Sequence, residues 1–153
     1  MAISLPRNIQ LKLDQTLAQW QHWRCDPPLR APPVDIRKLS DGISNHSILV
    51  KADSHYVVRI DGINPSINGL NRQIEYRTLD IANAHSLAPT PRYYNPELGA
   101  LVCNYLSPDS IQTANLTDTA NLLRAIHRLP AVHSRLNLHD RIARYERQLQ
   151  HSD

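Results

Sequence analysis

In "LSDGISNHSILV", residues 39–50, a small polar turn, Ser40-Asp41-Gly42, interrupts an apolar pattern. A second polar cluster, Ser44-Asn45-His46-Ser47, follows, and a β-branched run then resumes. Gly42 allows close approach of backbone N–H groups, and Ser44 and Asn45 carry short polar side chains that bond an oxyanion or brace the turn. Arg59 lies further on in "YVVRIDG", and Glu75 comes sixteen residues after it. A guanidinium among β-branched neighbours needs a partner, because burying it alone is expensive. Glu75 is the candidate partner, with Arg72 and Arg77 as competitors for the same carboxylate. A nucleoside triphosphate is a dense anion, and holding one needs backbone donors, a fixed cation and usually Mg²⁺. These residues suit that task. The same residues also suit a solvated Asp-Gly hairpin turn and an edge-strand arginine in water, so on residue types alone both readings stand.

The elements that must position these groups follow from hydrophobic periodicity. "NIQLKLDQTLAQWQHW", residues 8–23, sets Ile9, Leu13, Leu17 and Trp20 at helical spacing, with Asn8 as N-cap. "CDPPLRAPP" has four prolines in nine residues and reads as an extended connector. "VDIRKL", with Val34 and Ile36 alternating, "SILVKA" and "HYVVRI" then predict three antiparallel strands at 34–40, 46–52 and 55–61, with Asp53-Ser54 as a tight turn. Alternation puts Arg59 on the face of Val57, opposite Val58. "DGINPSING" is a loop, and "LNRQIEYRTLDIANA" a helix with Leu70, Ile74 and Ile81 along one face, ended by "HSLAPTP". "RYYN", the turn "PELG" and "ALVCNYL" form another hairpin. After Ser107-Pro108 only helices follow: "TDTANLLRAIHRLP", with Thr117 as N-cap and Leu122, Ile126 and Leu129 on one face, and "NLHDRIARYERQLQ", with Leu138, Ile142, Tyr145 and Leu149.

The bulk properties narrow the class. The chain has 153 residues, 41% hydrophobic and 20% charged, which suits a folded domain or part of a larger one. Phe is absent and there are 2 Trp and 6 Tyr, so Leu, Ile and Val must fill most of the core. Cys25 and Cys103 lack metal spacing and read as reduced structural thiols, and the 8 His form no ligand pair, so no metal site is expected. A net charge of +3 and a pI of about 9.1 are compatible with an anionic ligand and too dispersed to indicate nucleic acid. No apolar run is long enough for a membrane span, and "MAISLPRNIQ" has no secretory pattern. The expectation is a cytoplasmic protein with no membrane partner.

Three strands, a helix, two strands and then helices is the order of a kinase-like small lobe, and here the residues carry a resemblance. "LSDGISNHSILV" resembles the L-x-G-G-x-[ST]-N-x-x-x-x-V loop of the choline kinase and aminoglycoside phosphotransferase family. "YVVRIDG" resembles that family's third strand, with Arg59 in the basic phosphate-contacting place. "NRQIEYRTLDIANAHSLAPTPRYY" is similar to its R-x-x-E helix, "LAP" and fourth strand, "GALVCNYL" to its fifth strand and hinge, and "LLRAIHRLP" to its L-x-x-L-H helix. The resemblance runs from about residue 35 to about residue 149. It implies an α+β fold: a small lobe with an antiparallel five-stranded sheet and one packed helix, then the first helices of a truncated large lobe. The implied divisions are 1–33, an N-terminal helix and Pro-rich connector; 34–106, the nucleotide-binding small lobe; and 107–153, the incomplete helical part. It also implies ATP as cofactor, held by Gly42, Ser44, Asn45, Arg59, Glu75, Asn104 and Leu106. Asn104-Tyr105-Leu106 would be the hinge, bonding adenine through backbone groups, though the same residues read equally as a strand end. Asp41 departs from the family's usual Gly, and an exposed carboxylate there opposes phosphate by roughly a kcal/mol.

Phosphoryl transfer also needs a base and carboxylates for Mg²⁺. The family's H-x-D-x-x-x-x-N motif has only a poor imitation in "LHDRIARY", where His139 and Asp140 are adjacent and Tyr145 stands where Asn is needed. Asp140 reads as a first-turn helix residue instead, favoured there by the helix dipole. No catalytic residue and no metal ligand is assigned. The implied activity is ATP-dependent phosphoryl transfer to the hydroxyl of a small-molecule acceptor, choline-like in preference to aminoglycoside-like. The chain alone is expected to be inactive and to self-associate through bare apolar helix faces. Truncation, frameshift and a half-protein with a partner all remain open. The competing reading is a non-enzymatic nucleotide- or protein-binding interaction module, with Arg141, Arg144 and Arg147 as a positive ridge on the last helix.

Overall fold

The computed structural model describes residues 5–40, 45–62, 71–107, 115–132 and 138–150. Asp41, Gly42 and Ser44 of the opening loop, and Leu70, lie outside the described residues. Helix α1 (Arg7–Ala18) begins one residue before the expected Asn8 cap. The Pro6 carbonyl takes the first helical N–H groups, of Ile9 and Gln10 at 2.9 Å each, and its ring presets the entry angle, so no side-chain cap is used. Strands β1 (Val34–Ser40), β2 (Asn45–Lys51) and β3 (His55–Asp61) follow, then α2 (Arg72–Ala84), β4 (Pro91–Asn95), β5 (Ala100–Asn104), α3 (Leu116–His127) and α4 (Leu138–Leu149). The fold is α+β, in the element order expected from the sequence.

The five strands form one antiparallel sheet in the order β1-β2-β3-β5-β4. The period of two in "HYVVRI" sorts its side chains cleanly. Tyr56, Val58 and Ile60 point to one face and join Ile48, Val50, Ala100 and Val102 in the core. Ile9 and Leu13 of α1, with Trp23 and Leu29 of the connector, cover that face. The segment before β1, from α1 through Leu29, thus shares the sheet's own core. Trp23 meets Tyr56 edge to face at 5.6 Å, an arrangement favoured by the ring quadrupoles. The expected alternation of Val34 and Ile36 exists, but both lie exposed. β1 is an edge strand with two register shifts against β2, and its charged Arg37 and Lys38 suit an edge that must not pair further.

Helix α2 differs from expectation in its buried face. Its buried residues are Arg72 and Tyr76, whereas Ile74 and Ile81 are half-exposed. The helix rests on the sheet through a polar network and through the Tyr76 ring, 4.7 Å from Tyr94 of β4, instead of through an aliphatic stripe. Asn71 caps its start, accepting from the backbone of Gln73 and Ile74 at 3.0 and 3.1 Å. It ends where Ser86 takes φ +59: Ser86 N–H bonds the Asn83 carbonyl at 2.8 Å, and Leu87 N–H bonds that of Ala82 at 2.9 Å. This is the paired helix stop usually built on glycine.

The cap of α3 is Asn115, which accepts from Asp118 N–H at 2.9 Å, and not Thr117, which lies inside the first turn. Asn is the stronger cap and sits at the right offset. Neither α3 nor α4 has a buried apolar residue among those described: Leu116, Leu122, Leu123, Ile126, Leu138, Ile142 and Tyr145 are all substantially open to solvent. Among the described residues no helix is long and apolar enough to cross a membrane. His139 and Asp140 stand in the first turn of α4, on a helix and not on a loop.

Candidate functional site

The second face of the sheet carries the candidate site. Val57 and Arg59 point there. Across the register, Leu49 and Cys103 flank Val57, and Ser47 and Leu101 flank Arg59. Leu49, Leu101 and Cys103 are buried, so Arg59 emerges beside an apolar surface. Burial pushes the Cys103 thiol up to about 11, with opposing smaller effects of Arg59 and Glu75 that place all three in one neighbourhood.

Arg59 forms an ion pair with Glu75 of α2, the partner that the family resemblance favours. The same carboxylate also pairs with Arg72 through its other oxygen. The competition foreseen between Arg59 and Arg72 is resolved by sharing: each guanidinium takes one oxygen. Three residues separate Arg72 from Glu75 on the helix, so both stand on one side of it.

Arg72 does more than contact Glu75. Its Nε donates to the Gly99 carbonyl at 3.1 Å. Its remaining terminal nitrogen donates to Asn45 Oδ1, at the start of β2, and pairs with Asp61 at the end of β3. One planar fork thus joins α2, β2, β3 and the β4–β5 turn. The Arg72 side chain is 2% exposed and that of Arg59 33%. The two cations and two carboxylates balance, which is what permits their burial. Asp61 still titrates higher than an ordinary carboxylate, because burial outweighs the pull of Arg72. The sequence marks Arg72 as a competitor for Glu75 and as the arginine of the R-x-x-E stretch. Nothing in its type or spacing says that it is buried.

Gly99 completes the frame. It stands at φ +60, accessible to glycine at no steric cost, in the "PELG" turn. Asn95 Oδ1 holds that turn by accepting from Glu97 and Leu98 N–H at 3.0 and 3.2 Å. The Gly99 carbonyl also accepts from Asp61 N–H at 2.9 Å.

The other candidate residues separate. Asn45 lies in the site, but its side-chain oxygen is taken up by Arg72. Asn104 sits across from Tyr56, on the opposite face from Arg59, and its Oδ1 accepts from Arg92 Nε at 2.8 Å. Its N–H bonds the Thr90 carbonyl at 3.0 Å, and Tyr105 N–H bonds that of His55 at 3.1 Å. Leu106 is exposed beyond the strand. Only backbone groups other than these two N–H donors are left to serve as a hinge.

Among the described residues no group of three or more His, Cys, Asp or Glu could hold a metal ion. The two acids of this network, Asp61 and Glu75, are both committed to guanidinium groups.

No protein-family model matches the chain, and no curated protein matches it. Among solved structures it is similar to a choline/ethanolamine kinase family protein from Mesorhizobium loti, at 18% identity and a TM-score of 0.52. The similarity covers 93% of this chain and 47% of that one, so the chain spans about half the length of the structure it matches. The sheet, its packed helix and the helices that follow have the fold of about half of a choline/ethanolamine kinase family protein.

Proposed function

We propose that the chain is a nucleotide-binding part of a phosphotransferase of the choline kinase and aminoglycoside phosphotransferase kind, with ATP as its ligand. The observation that carries this reading is the half-exposed Arg59, held by Glu75 at the edge of an apolar sheet face in a fold shared with a choline/ethanolamine kinase family protein. In it, Arg59 meets the phosphates and Glu75 orients Arg59. Gly42 and Ser44, outside the described residues, are phosphate contacts by sequence resemblance alone, and Val57, Leu49 and Cys103 form an apolar ceiling for the base. Backbone groups of Asn104 to Leu106 bond the adenine edge. ATP supplies the transferable phosphoryl group. No residue of these 153 has the sequence context of the acceptor base or of the Mg²⁺ carboxylates, so the chain by itself binds nucleotide without turning it over. A complete enzyme would phosphorylate the hydroxyl of a small molecule, choline-like by preference, and the cytoplasm is where such an enzyme meets ATP.

The test is a thermal melt of the 153-residue chain with a millimolar non-hydrolysable ATP analogue. The expected result is a raised midpoint that Arg59→Ala abolishes. Phosphate release or phosphocholine formation above blank by this chain would overturn its inactivity.

A second reading is a protein-interaction module, favoured by the open apolar residues of α3 and α4. Under it the chain ignores nucleotide at millimolar concentration and binds a protein partner tightly. Self-association through the same helices is proposed under either reading.

A further inference from the structure

We propose that Arg72 is a positioning residue for this site, acting on two groups at once: it fixes the Glu75 carboxylate that aims Arg59, and it fixes Asn45 at the root of β2. The proposal rests on the nucleotide-binding reading and deepens it.

The argument starts from saturation. A guanidinium offers five N–H donors in a rigid plane. Arg72 directs them to Gly99, Glu75, Asn45 and Asp61, from four separate elements. It is buried, so it has no access to a ligand of its own. Glu75, in contrast, is held from two sides. With Arg72 on one oxygen, the other is presented to Arg59 in a single orientation. Were Arg72 absent, the carboxylate would be free to rotate and Arg59 would lose a fixed anchor. Asn45 is tied to the same fork, so the first hairpin and the phosphate-facing cation share one reference point. Asn45 therefore braces the fold beneath the nucleotide instead of touching it.

The experiment is a titration of the full 153-residue chain with a fluorescent methylanthraniloyl-ATP, alongside urea unfolding of each variant. Asn45→Ala removes one contact of the fork and leaves no bare charge. Arg72→Lys keeps the charge but cannot reach four partners. The expected result is a fivefold or greater loss of affinity for Asn45→Ala in a chain that is still fully folded without urea, and about a tenfold loss for Arg72→Lys, as expected for a misplaced charge-assisted contact. The decisive readout is the double variant. Asn45→Ala should cost less than twofold more in the Arg72→Lys background, because the shared contact is already gone. A merely structural role would move the unfolding midpoints without this non-additivity in binding. Losses that multiply, or affinities within twofold of the unaltered chain while Arg59→Ala is impaired, would overturn the positioning role alone. Should Arg72→Lys fail to fold, Asn45→Ala by itself decides: no loss of affinity overturns the proposal. An unaltered chain that binds no nucleotide removes the binding reading and this proposal together.

Discussion

Replacing Gly99 by alanine probes the frame with one methyl group. At φ +60 a Cβ would stand 2.7 Å from the Asp61 Cγ and 2.9 Å from its Cβ, with the Oδ2 oxygen closer still. Two costs follow. The left-handed backbone itself costs an L-residue about 1–2 kcal/mol. The collision is larger, because Asp61 is buried and pinned by Arg72. Pushing its carboxylate aside breaks one arm of a buried ion network, and breaking such a pair costs about 3–5 kcal/mol. Partial relaxation will recover some of this, so a total of about 3–5 kcal/mol is expected, out of the roughly 5–15 kcal/mol that holds a domain together. Urea unfolding measures it, with an unchanged slope marking a true stability loss. The double variant separates the two contributions. In an Asp61→Ala background the methyl has no carboxylate to meet, and Gly99→Ala should cost only the backbone part, about 1–2 kcal/mol. Additive losses in the two backgrounds, or a single-variant loss below about 1 kcal/mol, would refute the reasoning.

Three further outcomes are expected. Because Asp61 binds its proton more tightly in the folded chain than in the unfolded one, its contribution to stability is present at low pH and lost as pH rises through its raised pKa. The stability of the unaltered chain minus that of Asp61→Asn should therefore fall as pH rises above the ordinary carboxylate value of about 4, and a rise there would contradict it. Cys103, with its thiol pushed up to about 11, should resist a disulfide reagent at pH 8 while half-exposed Cys25 reacts; two equally fast thiols in the native chain would count against this. Leu122→Glu with Ile126→Lys on α3 should bring the sedimenting mass toward the 17.4 kDa of one chain, unless the unaltered chain is already monomeric at high micromolar concentration.

What the sequence made legible is what short-range rules control. "HYVVRI" alternates branched side chains with a period of two, and β3 forms with Val58 inside and Arg59 on the other face. The order of elements was likewise readable, whereas the Arg59–Glu75 pair was favoured only through the family resemblance. Boundaries were less so, because caps compete locally. Pro6 displaced Asn8, and Asn115 displaced Thr117, each by offering a better-placed group for the first orphan amides. The burial of Arg72 was illegible for a different reason. A charged residue on a helix reads as solvent-facing by default. Its four partners lie up to 27 residues away, in elements whose closeness exists only once the sheet order is set. Val34 and Ile36 alternate as a strand should, and only the strand order reveals that they lie exposed at an edge.

The two arginines that share Glu75 should divide binding from stability. Arg59 is one-third exposed, and when it is removed Glu75 keeps Arg72. A partly exposed pair of this kind contributes about 0–1 kcal/mol, so Arg59→Ala should leave the urea midpoint nearly where it was. Arg72 is 2% exposed, and its loss takes from buried Asp61 its guanidinium partner and leaves Glu75 with Arg59 alone. Removing the central member of a buried network costs about 3–5 kcal/mol, so Arg72→Met should unfold in far less urea. Nucleotide binding should show a different pattern: lost in Arg59→Ala although that chain is fully folded. That contrast makes Arg59 the informative substitution, since its binding loss cannot be ascribed to collapse of the frame. Equal destabilisation by the two substitutions would mean that the carboxylate depends on both cations alike, and the division of labour between them would fall.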